Sequence, residues 1–293
     1  MTLSVVLITY NEEANIRHTL ESVLLLVRPR EDSSKSMGEI IVVDNGSTDR
    51  TVEIAREFGA KVFIEEWKGY AAQKNSAVAK ATGDWILSLD ADESLEPGLA
   101  AEIGSAVCRN GQRGPNEWCK TVAPAPDAQE QVRRRLISRV IGYSIPRKNL
   151  FLGRWIKHAG FWPDRKLRLF RRGEGRFADR PVHEVLEVNG ITDHLSGALI
   201  HNAYPTLTGY IATMNRYSSL GAELAASKGH RAFSFLNIVL RPIATFISMY
   251  LLRLGFLDGR EGLLLCLYHS VYVSWKYAKA WELSRDTDGP QSS

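Results

Sequence analysis

Short apolar runs along this chain end, again and again, in a polar cluster. Residues 3–8 (LSVVLI) are apolar apart from Ser4 and give way to Thr9-Tyr10-Asn11-Glu12-Glu13. A run of that length between polar signals predicts a strand covered on both faces. Ile16, Leu20, Val23, Leu24 and Val27 then recur at helical spacing. Residues 28–38 are polar, with a proline and a glycine, and read as an exposed loop. Residues 39–43 (EIIVV) predict a second strand running into Asp44-Asn45-Gly46-Ser47. A helix follows over 50–58, capped by Ser47 or Thr48 and stopped at Gly59. Residues 61–64 predict a third strand, 71–81 a helix ending at Gly83, and 85–89 (WILSL) a fourth strand entering Asp90-Ala91-Asp92-Glu93. Pro97 suits the first turn of another helix, with Leu99, Ile103 and Val107 as its buried stripe.

Strands alternating with helices through residue 108 predict βαβ units and a parallel sheet. Ligands of such sheets bind beyond the carboxyl ends of the strands. The polar clusters after strands one, two and four therefore converge on one edge and read as a single site. Residues 110–131, rich in Gly, Pro, Asn, Gln and Ala, read as an irregular excursion. Residues 142–152 predict a further strand, and 160–190 a mixture of short strands and turns.

The last part differs. Residues 233–257 are apolar but broken by Arg241, Pro242 and Arg253, and 262–275 carry no formal charge with His neutral. Neither run reaches the ~18 uninterrupted apolar residues of a spanning helix. Aromatics and cations then cluster from Tyr268 to Trp281. This pattern predicts a helical hairpin lying in a membrane interface, or else a helical cap. The expected organisation is a catalytic region over 1–230 (a nucleotide-sugar half to 108, an acceptor half beyond), helices over 231–285, and a disordered tail over 286–293.

Composition changes this picture little. The 293 residues are 44% hydrophobic with a net charge of +4, enough for one large α/β domain and an appendage. Cys108, Cys119 and Cys266 are odd in number and show no paired spacing, which argues against a disulfide framework and suits a reducing cytoplasm. The N-terminus has no basic segment before its apolar run and reads as a core strand rather than a secretion signal. Arg133-Arg134-Arg135 has no interleaved aromatics, so no nucleic-acid partner is expected.

The sharpest chemical signal is Asp90-Ala91-Asp92. Two carboxylates two residues apart at a strand end suit Mg²⁺ or Mn²⁺, which would bridge a diphosphate and neutralise its charge on departure. Asp44 at its strand tip suits a base N–H or ribose hydroxyls, and Gly46 permits close backbone approach. Lys74, early in a helix, suits a phosphate or solvent. Glu93 is either a supporting partner or a surface charge, and solvated charge is the default reading for Arg165, Arg168, Arg171 and Arg172. The loop after strand one is TYNEE, not the glycine-rich phosphate loop of nucleotidyltransferases and dinucleotide-dependent oxidoreductases.

LITYNEE, IIVVDNGSTDRTVEIA, the segment at 72–75, ATGDWILSLDADE, IPRKNLFLGRWI, KLRLFRR and LLRLGFLDG together resemble family 2 glycosyltransferases, and within them the bacterial lipopolysaccharide core β-1,4-glucosyltransferase-like branch. The resemblance implies a type-A glycosyltransferase fold, a Rossmann-like mostly parallel sheet flanked by helices, and an inverting mechanism. It implies a nucleotide-diphosphate sugar donor, with UDP-glucose expected, and a lipid-linked or lipopolysaccharide-core acceptor at the cytoplasmic face of the inner membrane. Carried onto this chain it makes Thr9, Asn11, Glu12 and Asp44 nucleotide contacts and Asp90 and Asp92 the metal–diphosphate motif. Tyr10, Gly46, Lys74 and Ala91 are counted with the donor site. An inverting transfer needs a base for the acceptor hydroxyl. Glu184 leads, followed by Asp164 and Asp179, with His183 read as orienting Glu184, touching the metal or merely packing.

Overall fold

The computed structural model describes residues 2–27, 38–109, 139–178, 184–230 and 233–287. Residues 28–37 of the loop expected at 28–38, the excursion at 110–131, Arg133 to Arg135, Asp179, His183 and residues 288–293 lie outside them.

The chain divides into two compact units, residues 1–147 with 165–201, and residues 148–164 with 202–293. These divisions fall elsewhere than the compositional boundaries at 108 and 230. In the first unit, β1 (Leu3–Thr9), β2 (Gly38–Asp44), β3 (Lys61–Ile64) and β4 (Trp85–Asp90) form a parallel array in the order β3-β2-β1-β4. Their crossovers are α1 (Glu13–Val27), α2 (Thr51–Glu57) and α3 (Tyr70–Ala79). The register aligns Thr9 with Asp44 and Ile8 with Asp90, so the three expected polar clusters share one edge.

The parallel pattern stops at β4. A short β5 (Glu93–Leu95) and helix α4 (Leu99–Arg109) follow, then β6 (Val140–Phe151), the two-residue β7 (Arg154–Trp155) and β8 (Asp164–Arg171), which lies antiparallel to β4. β9 (Gly175–Ala178) and β10 (Val185–Val188) pair as a separate hairpin. β11 (Ile191–His194) runs parallel to β6, and β12 (Leu199–Tyr204) antiparallel to β5. The sheet is therefore mixed, continuing from β4 as β8-β6-β12-β5. β5 was not anticipated, because three residues are too few to show a period.

Alternation along β1 divides the core. Leu3, Val5 and Leu7 pack with α1, α2 and α4, while Val6 joins Ile41, Val43 and Ile86 beneath α3 and the β9–β10 hairpin. Both faces are covered, which is why the parallel strands read as near-continuous apolar runs. Leu99, Ile103 and Val107 are the buried stripe of α4 as expected.

The expected cap of α2 is corrected. Asp49, not Ser47 or Thr48, accepts the N–H of Thr51 at 2.9 Å. Ser47 and Thr48 are instead engaged with Asn11, whose N–H donates to Ser47 Oγ at 2.8 Å and whose Oδ1 accepts from Thr48 N at 2.9 Å.

At the opposite edge Glu39 binds together the N-terminal ends of the strands. It accepts from Ser4 Oγ, Lys61 Nζ, and the N–H and hydroxyl of Thr82, each at 2.7 Å. Burial alone would raise its pKa, but these bonds outweigh burial and hold it at about 2 against an ordinary 4.5. A carboxyl depressed in the folded state adds stability above its unfolded pKa and loses it as pH falls toward the folded one. Glu39→Gln is therefore expected to cost about 2–3 kcal/mol at pH 7. Its deficit in urea unfolding should vanish as pH falls from about 4.5 toward 2. A pH-independent deficit would show that the charge is irrelevant there.

In the second unit, α5 (Leu207–Ser227) begins at Thr206, whose hydroxyl accepts the N–H of Gly209 at 3.1 Å. A helical stretch over 236–252 consists of α6 (Arg241–Ile247) between two π-helical turns, and a 3₁₀ turn (Gly255–Asp258) leads into α7 (Gly259–Thr287). The expected helical pair is thus present, bent by 72° at the turn. Pro242 cannot donate to the carbonyl of Ile238, and Ser274 Oγ from α7 donates to that oxygen at 2.8 Å instead. α7 runs to Thr287, two residues into the expected tail.

Candidate active site

The site gathers where β1, β2 and β4 end. Tyr10 leaves β1 exposed, and Asn11 turns the chain with a left-handed φ of 53°. Glu12 starts α1: its carbonyl accepts from Ile16 N at 2.9 Å, and its N–H donates to Thr51 Oγ1 at 2.8 Å. Its carboxylate accepts from Asn15 Nδ2 at 2.9 Å. Burial raises the Glu12 pKa, and the charges of Asp92, Asp49 and Asp90 push it further up, against the lowering bond from Asn15. Three of these carboxyl groups, Glu12, Asp90 and Asp92, were expected at the donor site, and their fields overlap here.

Asp44 faces the protein. It is fully buried, and its carboxylate accepts from Thr9 Oγ1 at 2.7 Å, Ser47 N at 2.7 Å and Ser47 Oγ at 2.5 Å. It locks the β1 and β2 tips together in the geometry that presents Tyr10 and Asn11. Gly46 is exposed with φ 76°, and open space lies where a Cβ would sit. The turn by itself suits a glycine at this position, and its open side leaves the backbone accessible.

β4 ends at Asp90, and the chain turns through Ala91 and Asp92 into β5. Ala91 is buried and its carbonyl accepts from Thr19 Oγ1 at 2.7 Å, while Glu93 accepts the N–H of Asp90 at 3.1 Å. The two aspartates have different surroundings. Asp90 is paired with Lys74 at 2.7 Å and with Arg168. Burial would raise its pKa, but Arg168 and then Lys74 overcome that and hold it well below the usual carboxylate range. Asp92 instead lies 3.3 Å from Nε2 of His201.

Lys74, expected at a phosphate or in solvent, is 3% exposed, and its ammonium spans Asp90 and Glu184, the latter at 2.6 Å. Glu184 stands just before β10, so the β9–β10 hairpin carries it to within one lysine of the Asp90 carboxylate. Asn75 holds that hairpin, donating to Phe177 O at 2.8 Å and accepting from Phe177 N at 2.9 Å. Asp164 belongs to the second unit, where it accepts from Asn149 Nδ2 at 3.2 Å.

Glu93 is fully buried, which removes its reading as a surface charge. It pairs with Arg168 at 2.6 Å and Arg147 at 3.0 Å. Arg168 is 5% exposed, against the default reading of solvated charge, and its carboxylate neighbours keep its guanidinium firmly protonated despite burial. Lys74, Arg168 and Arg147 thus face Asp90, Glu184 and Glu93, three cations against three anions. Asp92 and Glu12 stand outside this balanced set. Asp92 fits a divalent ion in donor chemistry, since a small hard cation keeps several waters and takes one or two carboxylates plus substrate phosphate, and the neighbouring His201 imidazole adds a nitrogen donor better suited to Mn²⁺ than to Mg²⁺. Among the described residues no group of three or more such side chains is assembled, so the phosphates would have to complete the shell.

His201 was not found from sequence. It lies more than a hundred residues from Asp92, and the antiparallel register that sets it opposite Glu93 joins strands that no local pattern connects.

Comparison with known proteins gives the class. Residues 4–114, which include every strand tip described above, match the model of glycosyl transferase family 2. The chain thus carries a family 2 glycosyltransferase domain. It is 28% identical to a glycosyltransferase of Rickettsia typhi, over 96% of this chain and 87% of that one. It is 25% identical to the lipopolysaccharide core biosynthesis glycosyltransferase LpsC of Rhizobium meliloti, over 96% and 93%. Among solved structures it resembles the mannosyltransferase PcManGT of Pyrobaculum calidifontis in complex with GDP-Man and Mn²⁺, at 18% identity, covering 98% of this chain and 88% of that one with a TM-score of 0.44.

Proposed function

We propose that this protein is an inverting hexosyltransferase that takes its sugar from a nucleoside-diphosphate donor, UDP-glucose first among them. The acceptor is a lipid-linked or lipopolysaccharide-core glycan at the cytoplasmic face of the inner membrane, a class that the name of the Rhizobium relative supports. One observation carries the reading: the carboxylates Asp92, which faces the His201 imidazole, and Glu12 lie at the strand tips outside a charge network that is already neutral. Such a site gains from a cation brought in with a diphosphate. Exposed Tyr10 offers a ring face to a base, and Asn11 shapes the loop beneath it.

Asp92 and His201 would hold Mg²⁺ or Mn²⁺, which when bound neutralises the charge of the leaving diphosphate. Lys74 and Arg168 fix Asp90 at the β4 tip so that the turn carrying Asp92 keeps its place. Glu184, oriented by Lys74, takes the proton from the acceptor hydroxyl as that oxygen attacks the anomeric carbon opposite the leaving group.

Calorimetric titration of UDP-glucose tests the donor half. Binding with Mn²⁺ should be at least about tenfold tighter than in chelator, the gain expected when a cation relieves repulsion between diphosphate and carboxylate. Equal affinity in both conditions would remove the metal from the reading.

A further inference from the structure

We infer that the helical stretch over 236–252, with the turn and first helical turns that follow it, is a docking face for an anionic membrane surface. This rests on the second unit alone and does not depend on the reaction proposed above. Of the 23 large hydrophobic side chains exposed among the described residues, 13 fall between Phe233 and Leu267. Leu236, Leu240, Ile243, Ile247 and Leu251 recur every three or four residues, so they form one stripe along the helix. Beyond the bend the stripe is extended by Phe256 and Leu257 and, one helical turn apart on α7, by Leu263 and Leu267. Leu252, at the bend, is 75% exposed. The buried complement, Met249, Leu265 and Cys266, belongs to the unit's own core. An apolar surface of this extent on one segment marks an interaction site.

Charge selects the occupant. No acidic residue occurs from Phe233 to Leu257, while Arg241 and Arg253 do. The first acid beyond, Asp258, is 2% exposed and is taken up by the N–H groups of Lys157 and His158. Arg253 and Arg260 are exposed beside the bend. The second unit holds twelve Lys and Arg against seven Asp and Glu, leaving the first unit with 25 against 26, so the whole basic excess of the chain lies in the unit that carries the apolar face. Two copies of this chain meeting through that face would set their arginines against one another. A bilayer surface with anionic headgroups accepts both the apolar stripe and its basic border. No single helix among the described residues is long and apolar enough to cross a membrane, and the two helical segments meet at a 72° bend. Arg241 and Arg253 interrupt the apolar run, which favours a face lying along the interface with long cationic side chains reaching the headgroups.

The test is co-sedimentation of the full chain with vesicles of phosphatidylcholine alone or with about 30% phosphatidylglycerol, the anionic fraction supplying the attraction expected of a basic border. Wild type should pellet with the mixed vesicles, less with the neutral ones, and less again at high salt. Ile247→Glu/Leu251→Glu should lower the bound fraction at least about tenfold, since charge at the buried depth costs more than one such decade. Leu252→Ser/Leu257→Ser should weaken it less. Thermal unfolding and calorimetric donor binding should match wild type in both variants, which separates this face from the donor site. The inference is overturned if wild type stays in the supernatant, or if the glutamate variant pellets as well as wild type. It is equally overturned if light scattering shows a wild-type dimer that the glutamate variant dissociates, because the face would then belong to a second copy.

Discussion

Asp92→Asn is expected to abolish sugar transfer while leaving the protein folded. Asparagine keeps the size and shape of the side chain and removes its charge. Asp92 stands outside the balanced cluster of Lys74, Arg168 and Arg147, and the Nε2 of His201 lies 3.3 Å from its carboxylate. Losing one partly exposed contact of that kind changes stability by about 0–1 kcal/mol. The effect on transfer is of another order, because the charge is needed where a cation must sit against a departing diphosphate. Loss of about a hundredfold or more in kcat/KM is expected, in line with removing one electrostatic stabiliser of a transition state. Asp90→Asn supplies the contrast. It strips a carboxylate from between Lys74 and Arg168, so its damage should appear in unfolding as well as in rate. Equal activity of Asp92→Asn and wild type across Mn²⁺ concentrations would overturn the metal assignment at this position.

That contrast could not be drawn from the sequence, which presents Asp90 and Asp92 as equivalent. What was legible there is the repeating architecture. Each of the first four strands is covered on both faces, so its apolar run is short, dense and bounded by polar residues. The edge that collects Thr9, Asp44 and Asp90 follows from parallel strands having a common direction. The internal commitments of the polar residues were not legible. Asp44 has the position of a ligand contact, yet its buried carboxylate is also committed to Thr9 and Ser47, and Ser47 sits only three residues away in a turn whose shape no period reveals. Glu93 and Arg168 are 75 residues apart and meet because β8 runs back against β4. Charge in a strand between two covered faces has no solvent side to face, so the usual reading of an arginine-rich strand fails there. His201 was invisible for the same reason: long-range antiparallel register brought it to the turn after β4.

Lys74→Met should destabilise the first unit by about 3 kcal/mol or more, the range found when one partner of a buried ion pair is removed. The ammonium is 3% exposed and answers two carboxylates from different parts of the chain, Asp90 at 2.7 Å and Glu184 at 2.6 Å. Asp90 would retain Arg168, but Glu184 would lose its described ion-pair partner, and the cluster of three cations and three anions would carry a net negative charge. Methionine keeps most of the volume, so the deficit is electrostatic rather than a cavity. Adding Glu184→Gln to Lys74→Met removes the stranded charge and should restore at least about 1 kcal/mol, a coupling typical of residues in direct contact. Denaturant unfolding of the two single variants and the double variant measures it, and strictly additive effects would mean that Lys74 and Glu184 do not act as a pair. Activity separates the two roles of Glu184. The single variant Glu184→Gln should stay folded yet lose at least about a hundredfold in kcat, the contribution expected of a general base. The double variant, though partly restored in stability, should be no more active than Glu184→Gln. Retained activity in Glu184→Gln would take the proton transfer away from Glu184.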